Sequence, residues 1–479
     1  MKNFIIGFVL LTCRVFANHW TPGAIISHGA STGIFHNFNG CVYDPSTGQL
    51  VQTWLDAGAG HALYAAAFNG SSWTTQIIPY GSSVGLDRST EFYSPVYDPG
   101  SGRLIQIWQD TGNSLLYYSL FNGTSWTDGA LLPRGASNGY ADFNVPVYCN
   151  SINAMVLTWE DSVNNDLYYS IYDGVTWSAG RQIPPGISSG TNDFFLNPIF
   201  MPSTGQMVQI WVDATTNLLI YSAFNGENWT SGAEIPPSTA TSANSFNAPI
   251  YDPASGQLIL TWTDQVSGLL FGSSFNGSSW VTEKIPFGTS TGVANFFPSP
   301  AYIPTLQQVM QLWQDSGSGH FAYSSFFNGS NWTVATQVPP GASTQHVGAS
   351  FSYDNATGQI VQIWPDLATS LIYYSVYNGS AWEVAQLLPL GSSTGLRTGL
   401  GPVYDPATGQ LVQIWQDLGS GHFLYSSSFN RTWTPGVPIA LGTSPSVAIG
   451  GFNVPFYMPS TGQLILIWLA NGFLYYSTY

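Results

Sequence analysis

Tyr97-Asp-Pro-Gly-Ser-Gly-Arg-Leu-Ile-Gln-Ile-Trp108-Gln-Asp110, followed four residues later by Leu115-Leu-Tyr-Tyr-Ser-Leu-Phe121-Asn-Gly-Thr-Ser-Trp126, is the unit from which the rest of the chain is copied. Its first tryptophan recurs at Trp54, Trp108, Trp159, Trp211, Trp262, Trp313, Trp364, Trp415 and Trp468, in steps of 51 to 54 residues. Its second recurs at Trp20, Trp73, Trp126, Trp177, Trp229, Trp280, Trp332, Trp382 and Trp433, and the two series account for all 18 tryptophans. A fixed period of this length identifies a solenoid, a propeller or an array.

Each copy carries four strand signals. The copy around Trp108 supplies three, at Arg103 to Gln109, Leu115 to Phe121 and Trp126 to Leu132. Phe143 to Tyr148, which opens the next copy, is the fourth. These runs are rich in β-branched and aromatic residues, and helical periodicity is absent. The turns have local explanations. In Asp44-Pro-Ser-Thr-Gly48 and Asp405-Pro-Ala-Thr-Gly409, proline presets φ, the aspartate accepts from the backbone and glycine takes positive φ. Phe121-Asn122-Gly123 makes the following hairpin. Four strands per repeat of this length is the pattern of a propeller blade.

The termini are complementary. Tyr479 aligns with Phe121, so the ninth copy lacks its fourth strand, and Asn18-His19-Trp20-Thr21-Pro22-Gly23 aligns with that missing strand. The expectation is an all-β, nine-bladed propeller over residues 18–479, closed by the N-terminal strand in the last blade, which removes two open sheet edges. The alternative is eight blades and one distorted repeat. The third and sixth copies, at Cys149-Asn-Ser-Ile-Asn153 and Ile303-Pro-Thr-Leu306, have lost the Thr-Gly turn.

Residues 1–17 read as a signal peptide, with Lys2, a short apolar run from Phe4 to Thr12, and Val15-Phe16-Ala17 before the cleavage point. Lipid attachment at Cys13 is the minor alternative. The chain is expected to be secreted, periplasmic or at the cell surface, without a membrane span and as a monomer. The remainder has 7 basic against 25 acidic residues, a net charge of −18, which repels nucleic acid and anionic lipid. Cys41 and Cys149 fall at different points of their repeats, which argues against a disulfide framework.

The stretches Ser119-Leu-Phe-Asn-Gly-Thr-Ser-Trp126 and Ser170-Ile-Tyr-Asp-Gly-Val-Thr-Trp177 resemble the Asp-box of sialidase-like propellers, Ser-x-Asp-x-Gly-x-Thr-Trp, with an aromatic in the aspartate position. The order Trp-Gln-Asp, Tyr, then Asp-Gly-x-x-Trp is also similar to the repeats of six-bladed fucose-binding lectins. The resemblance implies a propeller, and either a carbohydrate-binding module or a sialidase-like glycosidase. The glycosidase's arginine triad and its Phe-Arg-Ile-Pro motif are not recognisable.

The turns after the first and third strands lie on one face and are nearly uniform. The connections after the second and fourth strands lie on the other face and vary, which is where function on a rigid scaffold is expected. Gly-x-Ser-x-Gly occurs there six times, from Gly29, Gly81, Gly135, Gly186, Gly288 and Gly391. The pattern mimics a hydrolase nucleophile elbow but lacks the helix and the histidine that motif needs, so it reads as a turn. Each second strand but the last ends Trp-x-Asp, and the aspartate reads as an Asx-type cap rather than a calcium ligand. His61, His320 and His422 are too far apart in the ring for one metal site and read as solvated; no metal or cofactor is expected. Phe38, Phe92, Phe143, Phe195, Phe246, Phe297 and Phe452 precede the first strands, with Asn39, Asn144, Asn247 and Asn453 following four of them. They read either as sugar-stacking platforms or as a packed plug in the channel. Asn-x-Ser/Thr sequons at Asn69, Asn122, Asn276, Asn328 and Asn378 fall on the hairpins, where turn chemistry already accounts for them.

Charged residues are scarce, yet Asp87, Arg88 and Glu91 fall together between blades one and two, followed by Phe92 and Tyr93, and the next loop adds Arg134 and Asp142 ahead of Phe143. These eight residues form the candidate ligand site, with no catalytic residue assigned. Arginine, carboxylates and aromatic walls suit a sugar or an acidic saccharide. The sequence therefore reads as a binding module for a glycan or glycoprotein. A glycosidase is the competing enzyme reading, and a protein-binding scaffold or adhesin is the third.

Overall fold

The computed structural model describes residues 20–58, 61–86, 92–237, 239, 242–294, 297–317, 320–344, 350–366, 368–399, 401–417, 419, 423–448 and 451–479. The proposed signal segment lies outside them. Every regular element among them is a strand, and among the described residues no helix is long and apolar enough to cross a membrane.

The strands form nine antiparallel sheets, and the chain is a nine-bladed β-propeller. In blade two the strands are Val96–Asp98, Arg103–Gln109, Leu116–Phe121 and Ala130–Leu131, each paired with the next in sequence. The second strand is apolar on both pleat faces because a blade is covered on both sides by its neighbours. Leu104, Ile105, Ile107 and Trp108 are accordingly all buried. The core is a series of packets between blades. One joins Ile105, Ile107 and Leu120 to Met155, Leu157 and Trp159. Another joins Leu50 and Trp54 to Ile465 and Ile467, so the ring closes.

Closure uses the N-terminal strand. Ala24 pairs with Tyr476 and Ile25 with Tyr475, and Thr21 N–H donates to the Thr478 carbonyl at 2.9 Å. The third and sixth repeats form ordinary blades despite losing Thr-Gly. Asn153 and Gln307 take the left-handed conformation, at φ 51° and 53°, that Gly48 and Gly102 hold at 71° and 70°. Asparagine tolerates that region better than most residues; Gln307 accepts the strain.

The outer and inner strands are shorter than the sequence runs. The fourth strand of blade two is two residues long, Ala130–Leu131, and Trp126 makes only an isolated bridge to Phe121. The run Phe143 to Tyr148 splits into a bridge from Phe143 to Trp159 and a strand Val147–Cys149. Pro146 lies at the break, and proline cannot donate to a ladder. A glutamine two residues before the core tryptophan compensates in other blades. Gln106, Gln209 and Gln311 donate from Nε2 to the carbonyls of Tyr93, Leu196 and Pro298 at 2.8, 2.6 and 2.8 Å. Blade seven has no such proline and keeps an unbroken strand, Ser350–Asp354. Gln362 there has no gap to fill, and both its buried carboxamide atoms lack a hydrogen-bond partner. Blades three, five and nine carry leucine at this position, at Leu157, Leu260 and Leu466. Gln362→Leu is therefore expected to raise stability by about 1 kcal/mol, because an unsatisfied buried amide is removed. Gln106→Leu should lower it. Urea unfolding of both variants checks the pair, and a loss of stability in Gln362→Leu would refute the account.

The second tryptophans seal the blades laterally. Trp73, Trp177, Trp229, Trp280 and Trp433 meet Tyr476, Tyr118, Tyr169, Tyr221 and Tyr374 of the preceding blade with ring planes 67–74° apart. The indole N–H of each of the five has no hydrogen-bond partner. Where the tyrosine is replaced by Ser324, the indole of Trp382 donates to the serine hydroxyl at 2.8 Å instead.

Candidate functional site

On the variable-loop face most polar side chains hold the scaffold. In seven blades the serine of the preceding loop donates to the aspartate of Trp-x-Asp at 2.5–3.0 Å: Ser31–Asp56, Ser83–Asp110, Ser137–Asp161, Ser188–Asp213, Ser290–Asp315, Ser343–Asp366 and Ser393–Asp417. The core tryptophan of the same blade donates from Nε1 to that serine at 2.9–3.3 Å. The aspartate also caps its own hairpin, as Asp110 does by accepting from Gly112 and Asn113 at 2.9 and 3.0 Å. The Asx cap is thus half of a clamp that ties each incoming loop to the top of its blade. Burial opposes ionisation of Asp56, Asp110, Asp161, Asp213, Asp315 and Asp417, but the converging hydroxyl and backbone donors outweigh it and hold each below the usual carboxylate range. The serines of Gly-x-Ser-x-Gly are donors to carboxylates, which accounts for their repetition without nucleophilic chemistry. Ser343 and Ser444 make the same tryptophan contact from loops outside the six motifs. The shorter pattern Gly-x-Ser would have found them.

The aromatic and asparagine series also serves the blade boundaries. Phe92, Phe143, Phe246 and Phe452 are buried, and Phe38, Phe195 and Phe297 pack partly buried against the packets between blades. Asn39, Asn144, Asn247 and Asn453 donate from Nδ2 to the carbonyls of Phe92, Leu196, Pro298 and Asn39 in the following blade at 2.9–3.3 Å. The amides are staples between inner strands. His61 and His320 are half-buried rather than solvated, each with Nδ1 within 3.2 Å of the carbonyl of its own blade's aspartate. His422 lies outside the described residues.

Of the candidate ligand residues, Asp87, Arg88 and Glu91 lie outside the described residues. Phe92 and Phe143 are in the core, and Tyr93 meets Phe143 edge-on at 5.0 Å. Asp142 accepts from Phe143 N–H at 2.7 Å. Arg134 is exposed and donates to the Asn138 carbonyl at 2.5 Å. Asn138 in turn donates its backbone N–H to Asp161 at 2.5 Å. The structure thus brings Tyr93 to Phe143, and sets Arg134 on the loop clamped by Asp161.

Two clefts lie at equivalent positions on the opposite, turn-bearing face. One, of about 250 Å³, lies between blades nine and one and is lined by Thr21, Phe68, Ser71, Gln463, Tyr476 and Thr478 among others. The second, of about 230 Å³, lies between blades one and two, with Gln49, Asn69, Thr74, Gln76, Phe121 and Thr124 in its lining. Gln463 corresponds to Gln49, Phe68 to Phe121 and Ser71 to Thr124 in the repeat. The linings are hydroxyls, carboxamides and aromatic rings, with no charged residue in either. Sequence reading passed over this face because its turns are uniform; each cleft is assembled from the ordinary repeat residues of two blades. Among the described residues, no cluster of three or more His, Cys, Asp or Glu side chains could hold a metal ion.

No protein-family model and no curated protein matches the sequence. Solved structures that resemble the chain include the BP39L lectin from Burkholderia pseudomallei, at 15% identity and a TM-score of 0.39, over 72% of this chain and 98% of that one. The Dos1 propeller aligns at 10% identity and a TM-score of 0.45, over 96% of this chain and 95% of its own. The six-bladed Aleuria aurantia lectin, described with a fucose recognition mode, aligns at 14% identity and a TM-score of 0.29, over 63% and 96%.

Proposed function

We propose that this propeller is a secreted, lectin-like binding module for neutral glycans, which it takes up in the clefts between blades on the turn face. The observation that carries the reading is the pair of equivalent, uncharged clefts lined by carboxamide and hydroxyl groups, with the half-buried Tyr476 beside Gln463 in the cleft between blades nine and one. Sugar C–H faces pack on aromatic rings, and their hydroxyls need both donors and acceptors, which carboxamides supply. A glycan array of neutral and sialylated structures tests it. Retention of neutral glycans is expected, and an array with no neutral glycan bound refutes the reading.

The exposed Arg134 favours a second reading, an acidic-saccharide site on the variable-loop face that includes Arg88. Sialylated or uronate glycans would then be bound, and an Arg88→Ala, Arg134→Ala double variant would lose them. Turnover of a fluorogenic sialoside by the wild type would move the protein to the glycosidase reading.

A further inference from the structure

The cleft between blades nine and one differs from its neighbour in what its polar groups are already doing. In the cleft between blades one and two, Gln49 donates to the Gly123 carbonyl at 3.4 Å and Gln76 to the Thr124 carbonyl at 2.6 Å. The third strand there contributes Ala67 to the lining. At the other cleft the third strand contributes Tyr476 and Thr478. Gly23 stands where Gln76 would reach across, and among the described residues the Gln463 carboxamide makes no hydrogen bond within the protein. Tyr476 is half-buried, with its ring set against Phe68 at 5.5 Å and Trp73 at 5.6 Å.

This cleft also lies where the ring closes. Thr21, Pro22 and Ala24 come from the N-terminal strand, Gln463, Tyr476 and Thr478 from the end of the chain, and Phe68, Gly70 and Ser71 from blade one. The first two are joined by the pairing of Ala24 and Ile25 with Tyr476 and Tyr475, and by the N–H groups of Thr21 and Ile26, which donate to the Thr478 and Leu474 carbonyls at 2.9 Å.

We propose that this closure cleft is the principal sugar site, that Gln463 is the residue that reads the sugar's hydroxyls, and that a sugar held there acts as a clasp on the ring. The proposal rests on the neutral-glycan reading and deepens it. The ligand is a single neutral pyranose carrying adjacent hydroxyls. Its ring packs on Tyr476, the Gln463 Nε2 donates to one hydroxyl, and Oε1 accepts from the next. The cleft's volume of about 250 Å³ falls below the roughly 300–1,000 Å³ of sites for drug-sized ligands, which suits one sugar ring rather than a chain. Because the bound sugar touches three segments that separate when the ring opens, it favours the closed state by mass action.

The test uses the whole protein and the methyl glycosides of glucose, galactose, mannose and fucose, with affinity from calorimetry and closure from thermal melting. The wild type is expected to bind at least one glycoside and to melt higher when saturated with it. Gln463→Ala should weaken that affinity roughly threefold to tenfold, as for loss of a neutral hydrogen bond, and lower the rise in melting temperature at the same glycoside concentration. Gln257→Ala, which removes the equivalent contact to the Gly329 carbonyl between blades five and six, should bind as the wild type does. Glycoside binding by the wild type that survives unchanged in Gln463→Ala overturns the assignment of the cleft while leaving the glycan reading standing. Binding of none of the four glycosides, together with a neutral array without hits, overturns both.

Discussion

Trp262→Ala is expected to destabilise the propeller by about 3–5 kcal/mol, the range for truncating a large buried aromatic. Trp262 is 2% exposed, stacks on Phe271 at 5.1 Å, and packs with Val208, Ile210 and Val212 of the preceding blade. The loss is mainly packing. Its Nε1 donates to Ser273 at 2.9 Å, but that hydroxyl keeps Thr282 at 2.7 Å as a partner, so no orphaned polar group adds to the cost. Blades contact only their neighbours, so the cavity is felt at two packets while the rest of the ring keeps its contacts. Equilibrium denaturation measures the change, and a value below about 1 kcal/mol would show that this tryptophan does not hold the blades together.

Removal of residues 18–27 is expected to have the larger effect, converting a closed ring into an open, associating one. The segment supplies the outer strand of blade nine through Ala24 and Ile25, and it carries Trp20 and Ile26, at 7% and 1% exposure, into two different core packets. Its loss exposes the edge Phe473–Thr478 and the flanks of blades nine and one, and an unpaired edge is a template for pairing with another chain. Light scattering should show multimers and melting should fall by many degrees. A truncated chain that stays monomeric with an unchanged melting temperature would mean that closure does not depend on this strand.

The blade architecture was legible because it is local. One repeat contains the long apolar strand, the Asp-Pro-x-Thr-Gly turn and the Asn-Gly hairpin, each with a reason that needs no distant residue. The boundaries of the second strand, Arg103–Gln109, emerged as read. The first and fourth strands did not, because the inner ladder breaks, at Pro95 in blade two and at Gly40-Cys41 in blade one, and the rim needs few backbone pairs once Trp126 is anchored between blades. The repeats that lost Thr-Gly still turn, since Asn153 and Gln307 supply the left-handed residue.

Strand chemistry and turn type, read within one 51-residue window, and the period and complementary ends, read by comparing windows, are legible from sequence alone. What depends on which groups meet across windows was decided only by the tertiary structure. Ser83 and Asp110 are 27 residues apart, and nothing in the motif shows that its serine will donate to that carboxylate rather than face a substrate. Asn453 reaches the Asn39 carbonyl across 414 residues, which makes a staple of an amide that the sequence offered as a sugar contact. Gln463 and Gly70 line one cleft although nearly the whole chain lies between them. Identical repeats give identical local propensities, but hydrogen bonds are satisfied by position in space, and the closure of the ring sets those positions.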